Sequence, residues 1–279
     1  MMERSLQGLI AYAQQQPWVT MVGTEGSANN DQTGADVWQD LDVTYFTADV
    51  AAFDFEDWCQ AFGQPVMYQH TEQTNLFEAT SNAWRIFLVQ FAGFDRVDLK
   101  IAPIADLQTY LWADRLNTIN WSREGEVAGR ITDDHRHWVG IPTQTAVAAA
   151  LNELYWCAGN VVKALSRGQL LAANEMNNQN VRPELLRLLA WSVAATQTGQ
   201  FNPGAGYRYL GAHLPVVIQQ QLRTSYQQHT LAASRQSLLS ELMTMQWVQT
   251  QLVTTLGIQI PAYVTPRRQQ LKQWLKLDV

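Results

Sequence analysis

The stretch GTEGSANNDQTGADVWQDLDVTYF, residues 23–46, sets two aspartates one residue apart, Asp40 and Asp42, at the start of an apolar run, Val43-Thr44-Tyr45-Phe46. A small-residue turn, Gly26-Ser27, lies twelve residues ahead of them. Alternate residues of a strand share a face. Asp40 and Asp42 therefore point one way, while Leu41, Val43 and Tyr45 point into a core. Residues 96–101 repeat the pattern, with Arg96, Asp98 and Lys100 on one face and Val97, Leu99 and Ile101 on the other. If these two strands are neighbours, Asp40, Asp42 and Asp98 converge. Close carboxylates repel and raise one another's pKa, and a divalent cation removes the conflict. Mg²⁺ takes hard oxygen ligands and keeps phosphate oxygens in its shell. A Gly-Ser turn nearby lets backbone N–H groups approach a phosphate. For any one aspartate the alternative is an exposed acid at a strand end; the set of three points to metal-assisted phosphate chemistry.

The elements that must position these residues follow from periodicity and breakers. Residues 3–16 read as helix, 18–22 as strand, 40–47 as strand, 51–62 as helix and 66–70 as strand. Residues 84–91 and 96–101 read as a hairpin turning at Ala92-Gly93, and 104–113 as helix. From Thr143 onward the pattern is helical almost throughout: 143–167, 168–178, 183–198, 215–228, 232–257 and 266–276. The polar run 121–142 reads as a linker. The expected fold class is therefore α+β: a mixed β-sheet with flanking helices over residues 1–140, then an all-α helical bundle over 141–279.

Composition sets the outer limits. The chain has 279 residues, 47% hydrophobic and 16% charged, enough to bury a core and too apolar for a disordered chain. The net charge of −6 conceals an asymmetry: residues 1–140 hold 20 acids and 8 bases, residues 141–279 hold 5 acids and 11 bases. The acidic part suits a metal or a cationic substrate, and the basic part suits phosphates; mutual attraction of two domains is the plainer reading. The bases are scattered, so no nucleic-acid groove is expected. No apolar run reaches the length of a membrane span, no signal peptide is visible, and the two cysteines, Cys59 and Cys157, read as free thiols of a cytoplasmic protein. Oligomeric state is not legible.

Other residues weigh less. Asp133-Asp134-His135-Arg136-His137 lies in the expected linker and reads as a solvated loop. Cys157 reads as a buried thiol. Trp84, Trp156 and Trp191 could stack on a ring, with core packing as the default. On the helix 151–167, Glu153, Trp156, Asn160, Lys163 and Arg167 fall within an arc of roughly 80°, opposite Leu154, Ala158, Val161, Val162 and Leu165. That arc is either a solvated face or the lining of a cleft.

Gly26-Ser27 followed by Asp40-Leu41-Asp42-Val43 resembles the signature of the nucleotidyltransferase superfamily, and Asp98 falls where that superfamily often has a third carboxylate. QDLDVTYFT, AGFDRVDLKIAPI, NELYWCAGNVVKALSRGQL and VRPELLRLLAW narrow the likeness, over roughly residues 18–215, to the aminoglycoside 6-adenylyltransferases, also called streptomycin adenylyltransferases. The resemblance implies a nucleotidyltransferase domain and a helical substrate-binding domain. It implies ATP as co-substrate, Mg²⁺ on Asp40, Asp42 and Asp98, and Gly26 and Ser27 near the nucleotide. Lys163 would contact the triphosphate. Glu153 would meet the acceptor, the 6-hydroxyl of the cationic aminoglycoside streptomycin, and either Asp98 or Glu153 would take its proton. Two positions depart from the family: Ala28 follows Ser27 where an arginine is usual, and Ser122-Arg123-Glu124 stands where an Asp-Lys-Asp element is usual. Two other functions stay open: nucleotidyl transfer to another small-molecule or protein hydroxyl, and a degenerate protein that binds nucleotide or aminoglycoside without turnover.

Overall fold

The computed structural model describes residues 1–30, 34, 36–74 and 84–276. The chain divides into two compact units, Met1–Arg136 and His137–Val279. In the first, α1 (Leu6–Gln15) leads into β1 (Val19–Thr24) and β2 (Leu41–Thr47). Then come α2 (Phe55–Phe62), β3 (Met67–Thr74), β4 (Trp84–Gln90), β5 (Arg96–Pro103), α3 (Leu107–Ala113) and β6 (Thr118–Ser122). The strands form one sheet in the order β3-β4-β5-β2-β1-β6, with β2 and β5 parallel and every other neighbour antiparallel.

Side-chain alternation explains why this sheet is covered on both faces. Val43, Tyr45, Val97, Leu99 and Ile101 join a core with α1 and α2 residues such as Leu9, Tyr12, Trp58 and Phe62. Phe46, Trp84, Ala102 and Tyr110 make a smaller core on the other side. Side chains of Ser5 and Asp54 accept from backbone N–H groups in the first turns of α1 and α2, which fixes where each helix begins. The cap at Asp54 also moves the start of α2 to Phe55, later than the expected residue 51.

The polar run expected to be a linker from residue 121 begins instead inside the sheet. Trp121 and Ser122 belong to β6, which pairs with β1. The next residue, Arg123, donates to the carbonyls of Val19, Ala13 and Gln16 at 2.9, 3.2 and 2.8 Å. Arg123 thus ties the end of β6 to the end of α1 and the start of β1, which gives the Ser122-Arg123-Glu124 departure a structural role.

The second unit is helical, with α4 (Gln144–Ser166), α5 (Leu170–Met176), α6 (Arg182–Thr196), α7 (Val216–Ser225), α8 (Leu231–Leu256) and α9 (Val264–Trp274). Thr143 caps α4 by accepting from the Ala146 N–H. The apolar stripe of α4, including Leu151, Leu154, Ala158, Val161 and Leu165, packs with Leu185, Leu188, Leu242 and Leu271. A π-turn, Asn177–Val181, joins α5 to α6. It delivers Arg182 into the core, where its Nη2 lies 3.1 Å from Glu241 Oε1.

Candidate active site

Parallel pairing of β2 with β5 sets Asp42 directly beside Asp98. Asp40 stands one residue before β2. The neighbourhood expected from strand alternation is present, but cations are interleaved with the carboxylates. Arg96 donates from Nε and Nη2 to both Asp98 oxygens, at 2.8 and 2.9 Å, and its Nη1 lies 3.4 Å from Asp40. Lys100 pairs with Glu25 and lies 3.9 Å from Asp42. Glu25 also accepts from the Thr44 hydroxyl. Four carboxylates, Glu25, Asp40, Asp42 and Asp98, thus share two cations, Arg96 and Lys100.

The surplus shows in the titration of the group that carries it. Burial pushes Asp42 up to about 6; Lys100 opposes this, while Glu25, Asp98 and Asp40 add to it. Burial also raises Asp40, against Arg96 and with help from Asp98. Burial disfavours the charge on Lys100, but Glu25 and Asp42 outweigh it and hold the ammonium protonated above its ordinary range. The hydrogen bond to Asp98 raises Arg96 in the same way, against the cost of burial.

Gly26 begins the short helical turn Gly26–Asn29 with φ +65, a conformation that favours glycine. A Cβ there would stand 3.2 Å from Asp42 Oδ2, so the turn closes directly over that carboxylate. The Glu25 N–H donates to the Asp42 carbonyl at 3.3 Å and ties the turn to β2. Ser27 Oγ accepts from Gln39 Nε2 at 3.4 Å. Gly26, Ser27, Asp40, Asp42 and Asp98 are therefore near neighbours, and Glu25 joins them. Sequence pattern missed Glu25, which lies beyond the end of β1. Its place depends on β1 pairing with β2, a long-range fact.

Among the described residues no group of three His, Cys, Asp or Glu side chains is gathered tightly enough to form a ready metal cage. The donor chemistry nonetheless fits Mg²⁺. The ligands are hard oxygens, the cluster is short of positive charge, and the charge on Asp42 is disfavoured, first by burial and then by the neighbouring carboxylates.

The helical unit carries the remaining expected residues. On α4, Trp156, Asn160 and Lys163 line a cleft of about 570 Å³ completed by Tyr263, Arg267 and Trp274 around α9. Glu153 does not line it; its Oε1 accepts from Cys157 Sγ at 3.1 Å. The exposed arc read from the sequence is therefore split, with Lys163 lining the cleft and Glu153 bonded to Cys157. Cys157 is a buried thiol, raised to about 11 by burial and then by Glu153.

A family model described as streptomycin adenylyltransferase matches residues 2–273. An aminoglycoside 6-adenylyltransferase of Bacillus subtilis (strain 168) is 29% identical over 211 residues, 75% of this chain and 74% of that protein. One from Campylobacter jejuni is 26% identical over 257 residues, 91% and 89% of the two chains. A crystal structure of an aminoglycoside 6-adenyltransferase from Bacillus subtilis aligns over 96% of each chain at 22% identity and a TM-score of 0.49. With its family model spanning nearly the whole sequence, the chain belongs to the streptomycin adenylyltransferase family of nucleotidyltransferase enzymes.

Proposed function

We propose that the protein transfers AMP from ATP to a hydroxyl of an aminoglycoside, the 6-hydroxyl of streptomycin, in a Mg²⁺-dependent reaction that releases pyrophosphate. The observation that carries this reading is Asp42 beside Asp98 on parallel strands, in a cluster where carboxylates outnumber cations. Asp40, Asp42 and Asp98 would hold Mg²⁺, which supplies charge stabilisation for the attacking and leaving oxygens. The Gly26-Ser27 turn brings backbone N–H groups to the phosphates. The acceptor oxygen attacks the α-phosphorus, the bond to the β-phosphate breaks, and pyrophosphate leaves.

The hydroxyl proton passes to a carboxylate. Asp98 retains capacity for this or for the metal, because an ionised carboxylate has about four lone-pair sites and Arg96 uses two. The roles of Glu153 at the acceptor and Lys163 at the triphosphate rest on the family resemblance. The acidic residues 1–140 suit a polycationic acceptor. A cytoplasmic location is the one that would supply ATP as the donor.

The test is pyrophosphate release from ATP and Mg²⁺ with and without streptomycin, with Asp42→Asn as control. Streptomycin-dependent release that is lost in the variant supports chemistry and substrate together. Release with only another acceptor from a panel keeps the chemistry and discards streptomycin. ATP binding without release for any acceptor favours the degenerate binding protein.

A further inference from the structure

Lys100 stands inside the carboxylate cluster, with no role yet in the reaction. Parallel pairing sets it beside Thr44, two positions along from the Asp42–Asp98 pair and on the same face of the sheet. Its ammonium pairs with Glu25 Oε2 and lies 3.9 Å from Asp42 Oδ1. The side chain is only 15% exposed, so the ammonium has no path to swing out into water. Glu25 holds it there. Each Glu25 oxygen already has a donor, Oε1 the Thr44 hydroxyl and Oε2 the lysine. The Glu25 N–H is tied in turn to the Asp42 carbonyl.

The two oxygens of Asp42 therefore face different neighbours. Oδ1 faces the ammonium, and Oδ2 lies under the Gly26 turn. In a two-ion site for phosphoryl transfer the divalent ions stand roughly 3.5–4 Å apart, and a carboxylate between them gives one oxygen to each. Here a lysine already stands at one of those oxygens, and a fixed cation at that distance repels a divalent ion. The charges agree. Four carboxylates and two cations leave the cluster two negative charges in excess, which one divalent ion cancels and two would overshoot before any phosphate arrives. Asp42 Oδ2, Asp40 and the remaining lone pairs of Asp98 are left as ligands for that ion.

We propose that Lys100 is a built-in counterion in the place of a second metal, so that the cluster itself takes one divalent cation, on Asp40, Asp42 Oδ2 and Asp98. The proposal rests on the preceding reading for the metal. It adds two positioning residues, Lys100 as the fixed charge and Glu25 as its anchor. It also has a consequence for the reaction. With no second ion to bind and ionise the acceptor hydroxyl, the proton of that hydroxyl must pass to a carboxylate.

The experiment counts the Mn²⁺ ions bound by the full chain without nucleotide, from the electron paramagnetic resonance of the free ion. Mn²⁺ is a divalent probe for the same oxygen ligands. Ions that persist in Asp42→Asn belong elsewhere and are subtracted. Wild type binds one. Lys100→Gln, whose amide still donates to Glu25, binds two. Glu25→Gln binds one at least tenfold more weakly, because the released ammonium turns to Asp42. The double variant loses one charge of each sign and returns to one ion at wild-type affinity. Weak binding in the double variant would make Glu25 a metal ligand and overturn its part as anchor. Two ions in wild type overturn the proposal and leave the metal reading standing, whereas no ion in wild type removes both. One ion in Lys100→Gln overturns it, as does unchanged affinity in Glu25→Gln. The latter variant keeps an oxygen for Thr44, so its fold is retained even if the sheet needs the lysine.

Discussion

The carboxylate cluster and the α4–α9 cleft are complementary in charge. The first sets four acids around two bases; the second has two cations and no ion-paired acid among the described residues. A third arrangement is balanced, the pair of Arg182 and Glu241 buried in the core of the helical unit. Arg182 there is further satisfied by Asn178, the Ser225 carbonyl and the face of Tyr226. Balance with full burial serves the fold. Imbalance with exposure leaves charge unspent, and unspent charge is what a ligand answers.

Breaking the balanced pair tests the reference point and has the largest effect. Glu241→Ala leaves Arg182 buried without its carboxylate, and should cost about 3–5 kcal/mol, read as a lower urea midpoint at unchanged slope. If this loss is absent, the pair is not the structural control it is taken to be. At the acidic cluster, Asp42→Asn should cut streptomycin-dependent pyrophosphate release by roughly 10²–10³-fold, the scale of removing one group that stabilises a transition state. It should leave the fold intact, because asparagine matches aspartate in shape and Asp42 is only partly buried.

The unbalanced cluster also predicts a direction with pH. Asp42 sits at about 6 in the folded protein against an ordinary 3.8. Between those values the folded state binds more protons than the unfolded one. Stability contributed by the proton is present at low pH and lost as pH rises through about 6. Asp42→Asn should therefore raise stability at pH 7 by about 3 kcal/mol at most and flatten the dependence between pH 4 and 6. Thermal melts across pH check this. Mg²⁺ should raise the melting temperature of the wild type at pH 7 and barely move the variant.

Local patterns were readable where chemistry and structure share a period. Alternation along β2 and β5 put Leu41, Val43 and Tyr45 inward and set Lys100 on the face of Asp98. Spacing of apolar residues found every helix of the second unit to within a few residues, because each buries one stripe. What escaped was non-local. Glu25 reaches Lys100 across 75 positions. Thr118–Ser122 alternates polar and apolar over only five residues, too short a run to stand out from the polar stretch after it, and is a strand because β1 offers it an edge. The angular arc on α4 grouped Glu153 with Lys163. It could not show that α9 packs along one side of that arc, leaving Glu153 to Cys157 and Lys163 to the cleft.

The smallest effect comes from one methyl group at the cationic pole. Gly159 lies on α4 where the Arg267 guanidinium crosses it, and a Cβ at that position must push Nη2 away. The obstacle is the far end of a flexible side chain, so the helix should remain, and alanine itself favours helix over glycine by roughly 1 kcal/mol. Gly159→Ala should therefore leave the melting temperature level or slightly higher. The guanidinium then leaves its place between Tyr155, Gln270 and the Trp274 ring. A melting temperature lowered by several degrees would mean that these contacts of Arg267 hold α9 on α4 and outweigh the gain in helix propensity.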